Sequence, residues 1–155
     1  MKVFSKLLIL ALVASVFAGC SKDDENLPIA DIAGTYEGTI TIAGMGEYPN
    51  ITINVTYAND AALLSIPVGA IPVFPLAINA TCTVTSDTEK YSLSGTASVT
   101  FPVAEDVSIP IPVTIKNTSN ITKAGKAVFD IEVALPAEIP NGGVTLVVQF
   151  EGQKR

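Results

Sequence analysis

The chain has 155 residues, 48% apolar and only 15% charged, which suits one globular domain and excludes a disordered chain. Fifteen acids against nine bases give a formal charge of −6. With no Lys/Arg cluster there is no basic stripe for nucleic acid. Histidine is absent, which removes Ser-His-Asp and Cys-His nucleophile systems and the commonest metal ligand together. Two cysteines cannot build a four-thiolate zinc site. The expectation is therefore a protein without enzymatic activity, metal or cofactor.

The N-terminal segment opens with a basic stretch carrying Lys2 and Lys6. Leu7 to Phe17 follows as an apolar run broken only by Ser15. A bilayer-spanning helix needs about 20 apolar residues, so this run is too short to span and has the length of a signal-peptide core. It closes on Phe17-Ala18-Gly19-Cys20, which resembles the lipobox of bacterial lipoproteins. The resemblance implies cleavage before Cys20, diacylation of its thiol and acylation of the new amine, and two or more acyl chains anchor stably.

Residues 1–19 are accordingly read as a lipoprotein signal peptide, Cys20 as the lipidation site and 20–32 as an acidic tether. Ser21-Lys22-Asp23-Asp24-Glu25, directly behind the cysteine, resembles the surface-export signal of Bacteroides-type lipoproteins. That implies a lipid anchor in the outer membrane of a Gram-negative bacterium, facing the cell surface, with a periplasm-facing anchor as the alternative. With Cys20 acylated, Cys82 stands alone and no intramolecular disulfide follows.

From Gly34 onward, apolar and polar residues alternate with period two, the pattern of strands with one packed face and one wet face. Tyr36, Ile40 and Ile42 share one face of a first strand, and Gly44-Met45-Gly46 turns the chain. The second strand alternates Ile51, Ile53, Val55 and Tyr57 and ends at Ala58-Asn59-Asp60, before a third over residues 62–66. The fourth sets Ile78, Ala80, Cys82 and Val84 on one face, which makes Cys82 a buried apolar filler.

A fifth strand begins at Tyr91 and alternates to Val99; a sixth carries Ile109, Ile111, Val113 and Ile115. A seventh alternates Ala127, Phe129, Ile131 and Val133, and the last runs over 144–151. About eight short strands linked by hairpins predict an antiparallel barrel, with a β-sandwich as the alternative.

Two proline-rich stretches, residues 65–78 and 108–115, are apolar on both faces. Pro110 and Pro112 remove two successive backbone donors from one side of the sixth strand, which predicts an edge, seam or bulge there. Such prolines either protect an edge from aggregation or mark an apolar rim around a ligand mouth.

Gly34 to Ile42, "YSLSG" (91–95), "AVFDIEV" (127–133) and "VTLVVQFEG" (144–152), with the leader, resemble the calycin-like β-barrel domains of Bacteroides-type lipoproteins. This implies an up-and-down, lipocalin-like barrel over residues 33–155. Lipocalins carry G-x-W on the first strand, with Trp plugging the barrel floor; Gly34-Thr35-Tyr36 puts tyrosine in that place.

Asp130 and Glu132 are spaced as a carboxylate pair, but their apolar neighbours fill the core side and turn both acids to water. Glu105-Asp106 reads as a loop tip, and Tyr48 as the one exposed tyrosine. The functional expectation is a surface lipoprotein that binds a small apolar molecule in its barrel. The alternative is an accessory or structural part of an outer-membrane complex for glycan capture or assembly, with an envelope protein or glycan as partner.

Overall fold

A computed structural model describes residues 26–72 and 74–155; the leader, Cys20 and residues 21–25 of the acidic tether lie outside the described residues. The strands are β1 (Gly34–Ile42), β2 (Gly46–Ala58), β3 (Ala61–Ile66), β4 (Ile78–Ser86), β5 (Lys90–Ala104), β6 (Val107–Thr122), β7 (Lys126–Leu135) and β8 (Val144–Lys154). Each pairs with the next and β8 returns to β1, closing an antiparallel up-and-down barrel. The β1–β8 ladder, from Tyr36 opposite Lys154 to Ile42 opposite Val148, distinguishes the barrel from a sandwich.

The period-two pattern determines which face turns inward. On β4, Ile78, Ala80, Cys82 and Val84 are buried while Asn79, Thr81, Thr83 and Thr85 face water. On β7, Ala127, Phe129, Ile131, Val133 and Leu135 are buried. Each large aliphatic or aromatic side chain so buried contributes about 1.5–3 kcal/mol against an exposed reference. A one-residue slip would put every one of them into water.

Closure depends on a close approach of backbones. Gly38 of β1 lies opposite Gly152 of β8. A Cβ on Gly38 would run into the Glu151 carbonyl, and one on Gly152 into the Phe150 ring. Beneath this seam Phe150 stacks on Phe129 with centroids 5.7 Å apart, and Phe129 meets Tyr36 edge-on at 6.2 Å. The missing Cβ atoms let a full aromatic layer sit directly under the ladder.

One end of the barrel is plugged. A 3-10 turn, Ile29–Ile32, lies across it with Ile32 fully buried and Leu27 and Ile29 packed on the core. Three side chains donate to its carbonyls: the Tyr36 hydroxyl to Ile32 (2.6 Å), the Tyr91 hydroxyl to Pro28 (2.9 Å) and Lys154 Nζ to Asp31 (2.6 Å). The Leu27 amide also donates to the Asp87 carbonyl of the β4–β5 turn. Residues 27–32, assigned to the tether in the sequence, thus pack on the core and cover the barrel floor. Among the described residues the core runs from Leu27 to Phe150.

β5 and β6 are longer than alternation alone suggests. β6 pairs with β5 at Pro110–Thr100 and Pro112–Ser98, but its pairing with β7 begins only at Val113–Val133. The two prolines thus sit on an edge, where their missing donors leave no gap in a ladder. Nearer the plug, β6 carries a bulge between Ile115 and Asn120. Buried Ser119 stitches it closed: its Oγ accepts from the Asp130 amide (2.9 Å) and donates to the Asp130 carbonyl (3.3 Å), standing in for a backbone partner.

Candidate functional site

Opposite the plug, four connections surround the open end: the β1–β2 turn, the β3–β4 loop, the β5–β6 hairpin tip and the β7–β8 loop. Between them lies an apolar recess of about 580 Å³, within the range of small-molecule sites.

Each wall follows from local sequence. In the β3–β4 loop, Ala70, Ile71 and Phe74 are buried, Ile71 and Phe74 form a β-bridge, and Phe74 and Pro75 face the recess. The β7–β8 loop folds as two successive turns, Ile139 N–H to the Pro136 carbonyl (3.3 Å) and Gly142 N–H to the Ile139 carbonyl (3.0 Å). A Cβ at Gly142 would strike the Pro136 carbonyl, so only glycine permits the fold that turns Ile139 inward. Asn141 accepts a left-handed φ of 59° there, and among the described residues its amide is the single polar side chain of the lining. Phe101, Leu135 and Leu146 come from β5, β7 and β8, and Met45 stands at the lip.

Among the described residues the lining of the recess contains no titratable side chain and no nucleophile. Its chemistry is desolvation of an apolar body with one amide available for a hydrogen bond. The surrounding end is also apolar: Met45, Val68, Val103, Val107 and Val144 are exposed on its turns and strand ends.

The residues singled out in the sequence are scattered. Glu105 and Asp106 form the two-residue turn at the tip of the β5–β6 hairpin, with Asp106 at φ 62°. Asp130 and Glu132 point outward from β7: Asp130 accepts from Thr118 (2.6 Å) and Gln149 (2.8 Å), and Glu132 pairs with Lys116 (2.8 Å). They tie neighbouring strands and do not converge on a cavity. Among the described residues no group of three or more acidic or cysteine side chains could hold a metal.

Cys82 is fully buried, and burial pushes its thiol up to about 11, so it stays protonated and inert at neutral pH. Tyr36 is buried beneath the plug, and burial pushes its hydroxyl up to about 12. Tyr48 is half-buried and not exposed, its hydroxyl on the Met45 carbonyl (3.4 Å). Tyr57 lies beside the β2–β3 turn at the plugged end, its hydroxyl on Asp60 (3.4 Å), and only partly covered by the core.

Of the two proline-rich stretches, residues 65–78 contribute to the recess and 108–115 do not. The first is an apolar rim and the second a protected edge. Ile139 sits in a loop without periodicity, and Leu146, although on the last strand read from sequence, gave no sign there of meeting residues of other strands in a recess. Comparison with known proteins finds no matching family model, no matching characterised protein and no matching solved structure.

Proposed function

We propose that this chain is a lipoprotein anchored through Cys20 in the outer membrane of a Gram-negative bacterium, facing the cell surface, with a non-enzymatic role. In this reading the open end of the barrel binds a small apolar ligand. The apolar recess of about 580 Å³ opposite the plug carries the reading. The resemblance of Phe17–Cys20 to a lipobox and of residues 21–25 to an export signal supports the location.

Orientation follows from the same premises. The tether joins the barrel at its plugged end, and the seven residues from Cys20 to Leu27 reach at most roughly 25 Å. The plug would face the bilayer and the recess would face away from it. Ligand would then arrive from the medium and not from the anchoring membrane.

The test is to express residues 21–155, purify without detergent, extract and analyse by mass spectrometry. A stoichiometric apolar compound, lost in Leu146→Asp, is the expected result. A clean protein whose recess also takes up no apolar probe refutes the binding role. Radiolabelled palmitate should enter the full chain and be lost in Cys20→Ala; protease added to intact cells should cleave a surface-facing domain.

A second reading, an accessory role in an outer-membrane glycan-capture or assembly complex, draws on Val103 and Val107, which are exposed at the hairpin tip. A pull-down with tagged protein from envelope membranes should then recover a partner or glycan in stoichiometric amount, lost in Val103→Ser/Val107→Ser.

A further inference from the structure

The recess is apolar, but the two ends of the barrel differ in charge. Six described residues are Lys or Arg. Five of them, Lys90, Lys123, Lys126, Lys154 and Arg155, sit at strand ends or turns of the plugged end, and Lys116 is on the wall. Among the described residues the open end contains none. Its charges are all carboxylates: Glu105 and Asp106 on the hairpin that brings Phe101 to the recess, and Glu138 beside Ile139, with Glu47 further out on β2.

An apolar cavity does not choose between head groups; its rim does. An amphiphile with its chain in the recess must place its head among these carboxylates and finds no cation there to pair with. We propose that the open end selects amphiphiles with a positively charged head, an amine or quaternary ammonium, and discriminates against carboxylates. The inference rests on the apolar-ligand reading above and adds the class of ligand to it.

The size follows from Coulomb's law. At about 10 Å through water, one carboxylate changes the affinity of a unit charge by about twofold. Three carboxylates at that separation would attract a cation and repel an anion, a gap of about twentyfold in ~10 mM salt and about threefold in ~0.15 M salt after screening.

The experiment uses residues 21–155 and three ten-carbon probes below micelle formation: decyltrimethylammonium, decanol and decanoate. Isothermal titration gives affinities, and methyl NMR shifts of Leu135, Ile139 and Leu146 locate the binding. The expected order is cation, then alcohol, then carboxylate, with the cation–carboxylate gap shrinking as salt rises. In Glu105→Gln/Asp106→Asn/Glu138→Gln the gap should collapse while decanol binds as before. Equal affinity for the two charged probes, or tighter decanoate, overturns the charge selection and leaves the recess standing. Failure of all three probes to move the recess methyls overturns the apolar-ligand reading and this inference with it.

Discussion

Tyr36→Phe removes one oxygen atom and tests whether the plug is held as described. The hydroxyl is fully buried and donates to the Ile32 carbonyl at 2.6 Å, so the variant leaves that carbonyl without its partner. An unsatisfied buried acceptor costs about 1–3 kcal/mol, while the ring keeps its edge contact with Phe129. Urea unfolding at pH 7 should show a lower midpoint with an unchanged slope, since the surface exposed on unfolding is the same.

A second signature comes from titration. Burial raises the folded-state hydroxyl to about 12 from an unfolded value near 10. The folded protein therefore holds the proton where the unfolded chain has released it, and stability falls as pH rises from about 10 to 12. Two units correspond to about 2–3 kcal/mol, present in full below pH ~10 and lost across that window. Tyr36→Phe should be less stable at pH 7 and should lose this share of the alkaline slope. A variant as stable as the parent, with the slope between pH 10 and 12 intact, would refute the assigned bond and the burial together.

Three further substitutions probe the rest of the frame. Ser119→Ala should cost about 1–3 kcal/mol in urea unfolding, because the Asp130 amide and carbonyl lose the side chain that closes the β6 bulge; Thr118→Ala, on the outer face, should cost less than ~1 kcal/mol. Gly38→Ala should destabilise by more than ~2 kcal/mol, since its Cβ meets the Glu151 backbone at the closing seam; Gly44→Ala has open space and should lose only about 1 kcal/mol to its left-handed φ. In a Cys20→Ala chain, the Cys82 thiol should react with an aromatic disulfide reagent only at the rate of barrel opening, and labelling as fast as a free thiol contradicts its burial.

How far the sequence could be read depended on whether a residue's role was local. Alternation on β4 and β7 comes from side chains that pack against the strand's own neighbours, so the faces were legible from period two alone. Pro110 and Pro112 were legible for the same reason: a missing donor forbids an interior ladder whatever lies beside it. The C-terminal half of β6 was not. Asn117 to Asn120 is polar in sequence, and it belongs to a strand because Ser119 borrows the Asp130 backbone, a partner eleven residues away that no pattern reveals. The plug was hidden likewise, since Leu27, Ile29 and Ile32 look like the tail of a tether until Tyr36, Tyr91 and Lys154 supply donors to their segment. The recess depends on distance as well: Phe74, Ile139 and Leu146 meet only when the barrel closes.

The difference between the two ends follows from what each must satisfy. The plugged end brings together backbone carbonyls with no strand partner, and it is there that the chain places donors, two tyrosines and a lysine, among its other cations. The open end needs no such donors. Its β7–β8 loop satisfies its own backbone through consecutive turns, and the adjoining strand of the hairpin is relieved of donors by proline. An end that needs no cation for its fold is free to expose apolar side chains and carboxylates alone. Glu138→Lys should therefore leave the unfolding free energy from urea titration within about 0.5 kcal/mol of the parent. If Glu138→Lys instead unfolds the domain, the carboxylates of that end serve the fold, and their selection for a ligand head group loses its footing.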